Sequence, residues 1–300
     1  MDTTQLEKIS SGHGFFAALD QSGGSTPSAL AAYGVSRDRY HSTDEMFALV
    51  HAMRTRVVTS PALDGSRILG SILFEQTMDR SVQGMPTGQY LWQDRNVVPF
   101  LKVDKGLADE RDGVRLMKPI DTLDDLVARA RLHGIFGTKM RSVIGEADKA
   151  GISAIVDQQF DYGSRIMAAG LVPIIEPEVS IASPHKEEAE ALLHDAVAAR
   201  VDALPADALI MLKLTIPTRA GLYADLAADP RVVRVLALSG GYSRDEACAL
   251  LAKDPAMIAS FSRALLEGLT EPQTDEEFNS TLEHSIAEIY KASVDKQPAA

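Results

Sequence analysis

The chain has 300 residues, of which 45% are hydrophobic and 24% charged, proportions typical of a folded globular protein rather than a disordered one. Its 30 Lys and Arg residues against 42 Asp and Glu give a formal charge of −12, which argues against a nucleic-acid or anionic-membrane surface. Cys248 is the only cysteine, so a disulfide framework and a cysteine-based zinc site are excluded. Because no membrane-spanning run and no signal-peptide pattern occurs, we expect a soluble, cytoplasmic protein.

Eight short apolar runs recur along the chain, each followed by a polar or helical stretch. Most are rich in Val, Ile, Leu or Phe, the pattern of strands buried on both faces of a parallel sheet. The predicted strands are Phe15–Leu19, Ile68–Phe74, Val97–Val103, Ile135–Val143, Leu171–Glu176, Leu209–Ile216, Val232–Leu238 and Ile258–Phe261.

Helical patterns lie between these strands. Met46, Val50, Met53 and Val57 are spaced to form one face of a helix. Further helices are predicted around Leu123–Ala130 and over Pro184–Ala203, Ser243–Lys253 and Thr274–Ala292, whereas Trp92 is placed on a loop. Eight strands alternating with helices predict an α/β fold, a (β/α)₈ TIM barrel. We expect a single domain over residues 1–300, with a C-terminal helix and a short tail.

A doubly wound open sheet is the alternative fold. It would be favoured by a G-x-G-x-x-G turn after the first strand. Residues 20–25, DQSGGS, are rich in glycine but do not match that spacing.

Charged residues close or interrupt five of the apolar runs near their carboxyl ends. In a barrel these ends meet on the face that carries the active site. One charged strand end is easily structural, but five together favour a functional site. The residues are Asp20, Lys102 with Asp104, Lys139 with Arg141, Glu176 with Glu178, and Lys213.

Lys213 is the most informative of these residues because it interrupts the apolar strand Leu209–Ile216. Lysine is almost never fully buried unless it is paired or functional. Burial disfavours the ammonium form and so favours the neutral amine, which is the nucleophile. A lysine at a strand end that reaches solvent is the structural alternative.

Two loops near the end of the chain are candidates for phosphate binding. Ser239-Gly240-Gly241 follows the seventh strand and precedes a helix, where backbone N–H groups and the helix dipole can bind an anion. Arg263 follows the eighth strand and offers a charge-assisted contact. Phosphate sites of barrels often form at these two loops.

A transition-metal site is disfavoured by the positions of the seven histidines. None lies at the end of a predicted strand, and no H-x-x-x-H or H-x-H spacing occurs. The G-x-S-x-G and Walker motifs are also missing from the sequence.

The chain resembles the class I fructose-bisphosphate aldolases, and among them the short bacterial branch. The motifs that carry the resemblance are AALDQSGGSTP, ILFEQTMDR, VVPFLKVDKG, FGTKMRS, GLVPIIEPEV, MLKLTIP, LSGGYSR and SFSRAL. The resemblance implies a metal-independent lyase without a cofactor. It would cleave fructose 1,6-bisphosphate to dihydroxyacetone phosphate and glyceraldehyde 3-phosphate in glycolysis and gluconeogenesis.

The resemblance also assigns catalytic roles. Lys213 matches the lysine that forms a Schiff base with the C2 carbonyl, and Glu176 matches the glutamate that shuttles protons during carbinolamine dehydration. Lys139 resembles the second lysine, which stabilises developing charge and keeps Lys213 partly deprotonated. Asp20 matches the acid at the C4 hydroxyl.

The remaining matches concern positioning and substrate binding. Glu178 and Arg141 resemble residues that position the catalytic groups. The residues that match the binding site of the C1 phosphate are Ser239, Gly240 and Arg263. Lys102 and Ser25 match the residues that contact the other end of the substrate.

The sequence departs from the family pattern at four places. The C-terminal tyrosine of longer members is missing, since the last tyrosine is Tyr290. Gln21 stands where many members have glutamate, Ala29 where longer members have an arginine, and Ser262 where they have glycine. All four departures concern how the substrate is held.

Two other functions stay open at this point. A Schiff-base aldolase could act on sedoheptulose or tagatose bisphosphate, and a barrel of this kind could bind phosphosugars without catalysis. The helix surfaces carry no readable interface pattern, so the sequence leaves a homo-oligomer open.

Overall fold

The barrel is built from strands that match the predicted apolar runs. The computed structural model describes residues 2–22 and 26–297. The barrel strands are β1 (Phe15–Leu19), β2 (Ile68–Leu73), β3 (Val98–Lys102), β4 (Gly137–Ile144), β5 (Val172–Val179), β6 (Ile210–Thr215), β7 (Val232–Leu238) and β8 (Ile258–Phe261). Their spatial order is β3-β2-β1-β8-β7-β6-β5-β4, and the parallel pairing of β3 with β4 closes the ring. The predicted TIM barrel is therefore confirmed, and the doubly wound alternative is wrong.

Helices connect the strands and cover the outside of the barrel. They are α1 (Thr3–Ser11), α2 (Thr26–Ala32), α3 (Thr43–Thr59), α4 (Glu75–Met78), α5 (Thr87–Gln93), α6 (Leu123–Leu132), α7 (Lys149–Ala168), α8 (Lys186–Asp202), α9 (Ala224–Ala228), α10 (Arg244–Leu251), α11 (Arg263–Leu266) and α12 (Asp275–Val294). Ser42, Ser243 and Thr274 begin α3, α10 and α12 with capping boxes, in which a glutamate at the third helical position returns the hydrogen bond. None of the described helices has the length and apolarity that a bilayer crossing requires.

The strand pleat separates an apolar floor of the barrel from a charged mouth. Side chains alternate between inward and outward positions along a strand. Near the strand beginnings the inward side chains are apolar, as where Phe16 meets Phe100 with 5.3 Å between ring centroids. Two positions further on, the inward side chain is charged: Lys102 follows Phe100, and Lys213 follows Met211. The outward side chains pack against the helices in a larger core.

Three local predictions need correction or extension. Strand β5 does not end at Glu176 but continues through Pro177, which pairs with Ser142 of β4. Trp92 lies in helix α5 rather than on a loop, and it packs against the floor of the barrel. Helix α7, over Lys149–Ala168, was not among the predicted helices.

Candidate active site

The mouth of the barrel holds a chain of ion pairs between β1, β4, β5 and β6. The Lys139 Nζ atom lies 2.6 Å from Asp20 Oδ2 and 2.8 Å from Glu176 Oε2. The Lys213 Nζ atom lies 2.9 Å from the other oxygen of that carboxylate, Glu176 Oε1. Glu176 therefore bridges the two lysines, and the four predicted catalytic side chains form one connected group.

These four residues are buried although all are ionisable. Their exposed fractions are 7% for Asp20, 3% for Lys139, 2% for Glu176 and 4% for Lys213. Buried charges of this kind require partners, and each ammonium here has a carboxylate within hydrogen-bond distance. The resemblance implied that Lys139 keeps Lys213 partly deprotonated, and the structure adds a carboxylate, Glu176, that contacts both lysines.

The charges in this group shift one another's pKa values. Burial alone would raise the pKa of the Asp20 and Glu176 carboxyls, but Lys139 and Lys213 outweigh it and hold both pKa values below the ordinary range. Burial alone would lower the pKa of Lys139, but Asp20 and Glu176 raise it well above its ordinary value. Both carboxylates and the Lys139 ammonium are thus charged near neutral pH.

Two further ion pairs surround the group on the side of β3 and β4. Lys102 Nζ lies 2.5 Å from Asp104 Oδ1, and Arg141 Nε lies 2.5 Å from Glu178 Oε2. The Arg141 backbone N–H also donates to Asp104 Oδ2, at 3.3 Å. Burial by itself would lower the Arg141 pKa, but the Glu178 contact raises it above its ordinary value. Because β5 continues to Val179, Glu178 stays on the inward face of its strand with Glu176.

The opposite side of the mouth offers uncharged donors and one arginine. Ser239 directly follows β7 and is 7% exposed, and Gly240 and Gly241 come next with φ angles of 62° and 125°. A Cβ atom at Gly240 would lie 2.6 Å from a methyl group of Ile181, so glycine is required there by both space and conformation. Arg263 begins α11, and among the described residues no carboxylate pairs with it.

A single cavity of about 1100 Å³ joins the two sides. The predicted site residues that line it are Asp20, Lys102, Lys139, Arg141, Glu176, Glu178, Lys213, Ser239, Gly240 and Arg263. Ser25, the remaining predicted binding residue, lies outside the described residues.

Two of the departures from the family pattern contact each other. Gln21, after β1, donates from Nε2 to the Ser262 hydroxyl after β8, at 2.6 Å. The Gln21 backbone carbonyl in turn accepts a hydrogen bond from the buried Arg54 guanidinium. Since Arg54 also donates to Thr77 at 2.8 Å, it ties the segment after Asp20 to the rest of the barrel.

Sequence reasoning missed the residues that support the site from behind. Gln159 of α7 accepts from the Glu176 backbone N–H at 2.7 Å and donates to Ser142 at 3.0 Å. Arg54 of α3 is 1% exposed. A polar residue on the apolar stripe of a helix is the signal that could have found both, because a fully buried amide or guanidinium needs a polar partner across the packing interface.

A buried lysine held by a carboxylate at the mouth of a TIM barrel is the arrangement expected of barrel enzymes that use a lysine amine as nucleophile. Comparison with known proteins narrows that class. The family Fructose-bisphosphate aldolase class-I matches residues 4–218. The fructose-bisphosphate aldolase class 1 of Synechocystis is 58% identical over 290 residues, which is 97% of each chain. The chain belongs to the class I fructose-bisphosphate aldolase family.

Solved structures agree with this fold. A fructose-bisphosphate aldolase from Plasmodium falciparum, crystallised with TRAP and a small-molecule inhibitor, superimposes with a TM-score of 0.75 and 21% identity. That alignment covers 99% of this chain and 95% of the other. Cgl0159 from Corynebacterium glutamicum reaches a TM-score of 0.56 at 13% identity, over 97% of this chain and 92% of the other. At such identities the likeness concerns the barrel alone.

Proposed function

We propose that this class I aldolase cleaves fructose 1,6-bisphosphate through a Schiff base on Lys213. The observation that carries the proposal is the Lys213 Nζ atom 2.9 Å from Glu176 Oε1, in a cavity large enough for a sugar bisphosphate. The neutral Lys213 amine attacks the C2 carbonyl carbon, and the carbonyl oxygen takes up a proton to give a carbinolamine. Because the lysine itself supplies the electron sink, the proposed reaction needs neither a metal nor a cofactor.

Glu176 moves the protons of this first stage. It contacts both ammonium groups, so it can accept a proton from Lys213 and deliver one to the departing carbinolamine hydroxyl. The C2–O bond then breaks, water leaves, and the protonated imine remains. Gln159 holds the Glu176 backbone and so fixes the position of this carboxylate.

Asp20 and Lys139 serve the cleavage itself. Asp20 takes the proton of the C4 hydroxyl while the C3–C4 bond breaks, its electron pair moves to the C2–C3 bond, and the imine becomes an enamine. Glyceraldehyde 3-phosphate leaves as the aldehyde. Lys139, 2.6 Å from Asp20, holds that carboxylate in place and stabilises the developing charge. Protonation at C3 and hydrolysis of the imine then release dihydroxyacetone phosphate.

The substrate phosphates bind on opposite sides of the cavity. Ser239, the backbone N–H groups around Gly240 and the Arg263 guanidinium hold the C1 phosphate. Arg141 and Glu178 position the central charges, and Lys102 faces the other end of the substrate. The four central cations and four carboxylates balance one another, so Arg263 supplies an uncompensated charge for a phosphate.

Residues 1–300 act as one catalytic domain in this proposal. Closure of the barrel requires strands from both ends of the chain, and α12 packs against β8 and the neighbouring helices α10 and α11. The substrate is a diffusible phosphorylated sugar, and in this proposal the enzyme works in glycolysis and gluconeogenesis in the cytoplasm. Sedoheptulose and tagatose bisphosphates remain the competing substrates.

Steady-state cleavage of the three ketose bisphosphates tests the proposal. We expect fructose 1,6-bisphosphate to give the highest kcat/KM, and Glu176→Gln to lower kcat by about 100-fold or more through loss of acid–base catalysis. Glu188→Gln, an exposed position on α8, is the matched control and is expected to leave the rate unchanged. A higher kcat/KM for another sugar would overturn the proposed substrate. A kcat for Glu176→Gln within threefold of the parent would overturn the proposed role of Glu176.

A further inference from the structure

Between β3 and helix α6 the chain makes an excursion over the mouth of the barrel. Within it, Val114 and Arg115 form a short strand that pairs antiparallel with the end of β4, with Val114 opposite Ile144 and Arg115 opposite Val143. The Gly113 carbonyl also accepts hydrogen bonds from the backbone N–H groups of residues 145 and 146, at 2.8 and 3.0 Å. Strand pairing therefore fixes the backbone of Arg115 relative to the active-site strand.

The register of this pairing directs the Arg115 side chain into the mouth. Residues directly opposite each other in an antiparallel pair project to the same face of the sheet. Val143 is two positions beyond Arg141 and four beyond Lys139, so all three share the inward face of β4. Arg115 joins that face and lines the catalytic cavity.

The Arg115 guanidinium is oriented but not neutralised. Its Nε atom donates to the Ala108 carbonyl at 3.1 Å, which fixes the plane of the group. In the described part of the chain, neither of its terminal nitrogens has a hydrogen-bond partner and no carboxylate pairs with it. The two neighbouring cations of this side differ, because Lys102 is paired with Asp104 and Arg141 with Glu178.

We propose that Arg115 is a specificity-determining residue that binds the phosphate at the end of the substrate away from Arg263. The inference rests on the proposed function, because it requires a bisphosphate lying across the cavity. A dianionic phosphate needs net positive charge, and on this side Arg115 supplies it where the paired cations do not. Its two free terminal nitrogens match the bidentate geometry in which arginine binds phosphate oxygens.

Comparison of two substrates isolates this contact. Fructose 1-phosphate has the reacting carbonyl and the C1 phosphate of fructose 1,6-bisphosphate but lacks the second phosphate. For Arg115→Gln we expect KM for the bisphosphate to rise about tenfold, with KM for the monophosphate and both kcat values within twofold of the parent. Arg115→Lys keeps the positive charge but loses the two terminal nitrogens of the guanidinium. Its KM for the bisphosphate is therefore expected to lie between those of Arg115→Gln and the parent.

Arg111→Gln is the matched control, since Arg111 lies on the same excursion, its side chain pairs with Asp112 alone among the described residues, and that side chain is 88% exposed. It is expected to change neither KM. An unchanged KM for the bisphosphate in Arg115→Gln, or an equal rise for both substrates, would overturn the proposal. Failure of the parent enzyme to cleave either sugar would instead overturn the proposed function.

Discussion

A lysine–glutamate pair is buried in the mouth of the barrel, and another is buried beneath the segment that follows β6. The first joins Lys213 to Glu176 and the second joins Lys186 to Glu190. The two glutamate side chains are shielded almost equally, with 3% and 1% exposed. The Lys186 side chain is 12% exposed and that of Lys213 is 5% exposed, so shielding of the carboxylate and the signs of the charges are alike in the two pairs and another property must distinguish them.

The difference lies in how the remaining hydrogen-bonding capacity is used. Lys186 Nζ also donates to the Ile216 carbonyl at 3.0 Å and to the Thr218 hydroxyl at 3.1 Å. Glu190 accepts from the Thr218 backbone N–H at 2.9 Å. This pair ties α8 to the chain directly after the strand that carries Lys213, and neither of its residues lines the cavity at the mouth.

The pair in the mouth has charged side chains as partners and faces an open cavity. Glu176 divides its two oxygens between two lysines, and within residues 2–22 and 26–297 no backbone carbonyl accepts a hydrogen bond from either lysine side chain. Protons can therefore be exchanged within this group without unfolding anything around it. A buried charge indicates a catalytic role when it also faces an open cavity. It indicates a structural role when backbone groups take up its hydrogen-bonding capacity.

Of the substitutions that test this difference between the two pairs, Lys213→Met is expected to have the largest effect. It roughly preserves side-chain volume and removes the nucleophile, so kcat should fall by at least about 10⁴-fold. Glu176 keeps Lys139 as a partner, and we expect the free energy of unfolding to be no lower than that of the parent. Cleavage assays and urea denaturation on one preparation measure both quantities. A variant that unfolds easily would mean that Lys213 is also architectural.

Lys186→Met should give the opposite result. Loss of one member of a buried ion pair typically costs about 3–5 kcal/mol, because the other charge is left without compensation. We therefore expect a large fall in the free energy of unfolding, with the activity of the folded fraction largely kept. Adding Glu190→Gln should recover part of the lost stability. A Lys186→Met variant that folds normally but loses its activity would contradict the distinction between the two pairs.

Lys139→Met should lower the free energy of unfolding by an amount that depends on pH. The pKa values of Asp20 and Glu176 are depressed in the folded state, so their contribution to stability is full above their unfolded values of about 4 and is lost as pH falls through the folded ones. The raised Lys139 pKa leaves its own contribution fully present at neutral pH. The stability difference between parent and variant is thus expected to be largest near pH 7 and to shrink below about pH 4. A difference independent of pH would show that packing, not charge, is lost.

Arg263→Ala should have the smallest effect of the four. An arginine–phosphate contact exists in the ground state as well as in the transition state, so its loss should raise KM about tenfold and leave kcat nearly unchanged. Initial rates over a range of fructose 1,6-bisphosphate concentrations give both constants. An unchanged KM would remove Arg263 from the proposed phosphate site.

The sequence predicts the barrel and the inward charges well because both follow from local patterns. One lysine within the otherwise apolar run Leu209–Ile216 is enough to identify Lys213, and the carboxylates at the ends of other apolar runs are found in the same way. The features that the sequence does not predict are those that depend on contacts between segments far apart in the chain. Nothing in the spacing of Lys186 and Glu190 on α8 separates a buried pair from an exposed one. The opposition of Arg115 to Val143 likewise becomes visible only when the strands are paired.

Borohydride reduction in the presence of dihydroxyacetone phosphate decides whether Lys213 is the nucleophile. Reduction converts the imine to a stable secondary amine, which peptide mass mapping locates. We expect irreversible loss of activity, one adduct on the peptide that contains Lys213, and no adduct in Lys213→Met. An adduct on Lys139 or Lys102, or aldol cleavage that continues without any adduct, would contradict the assignment of Lys213.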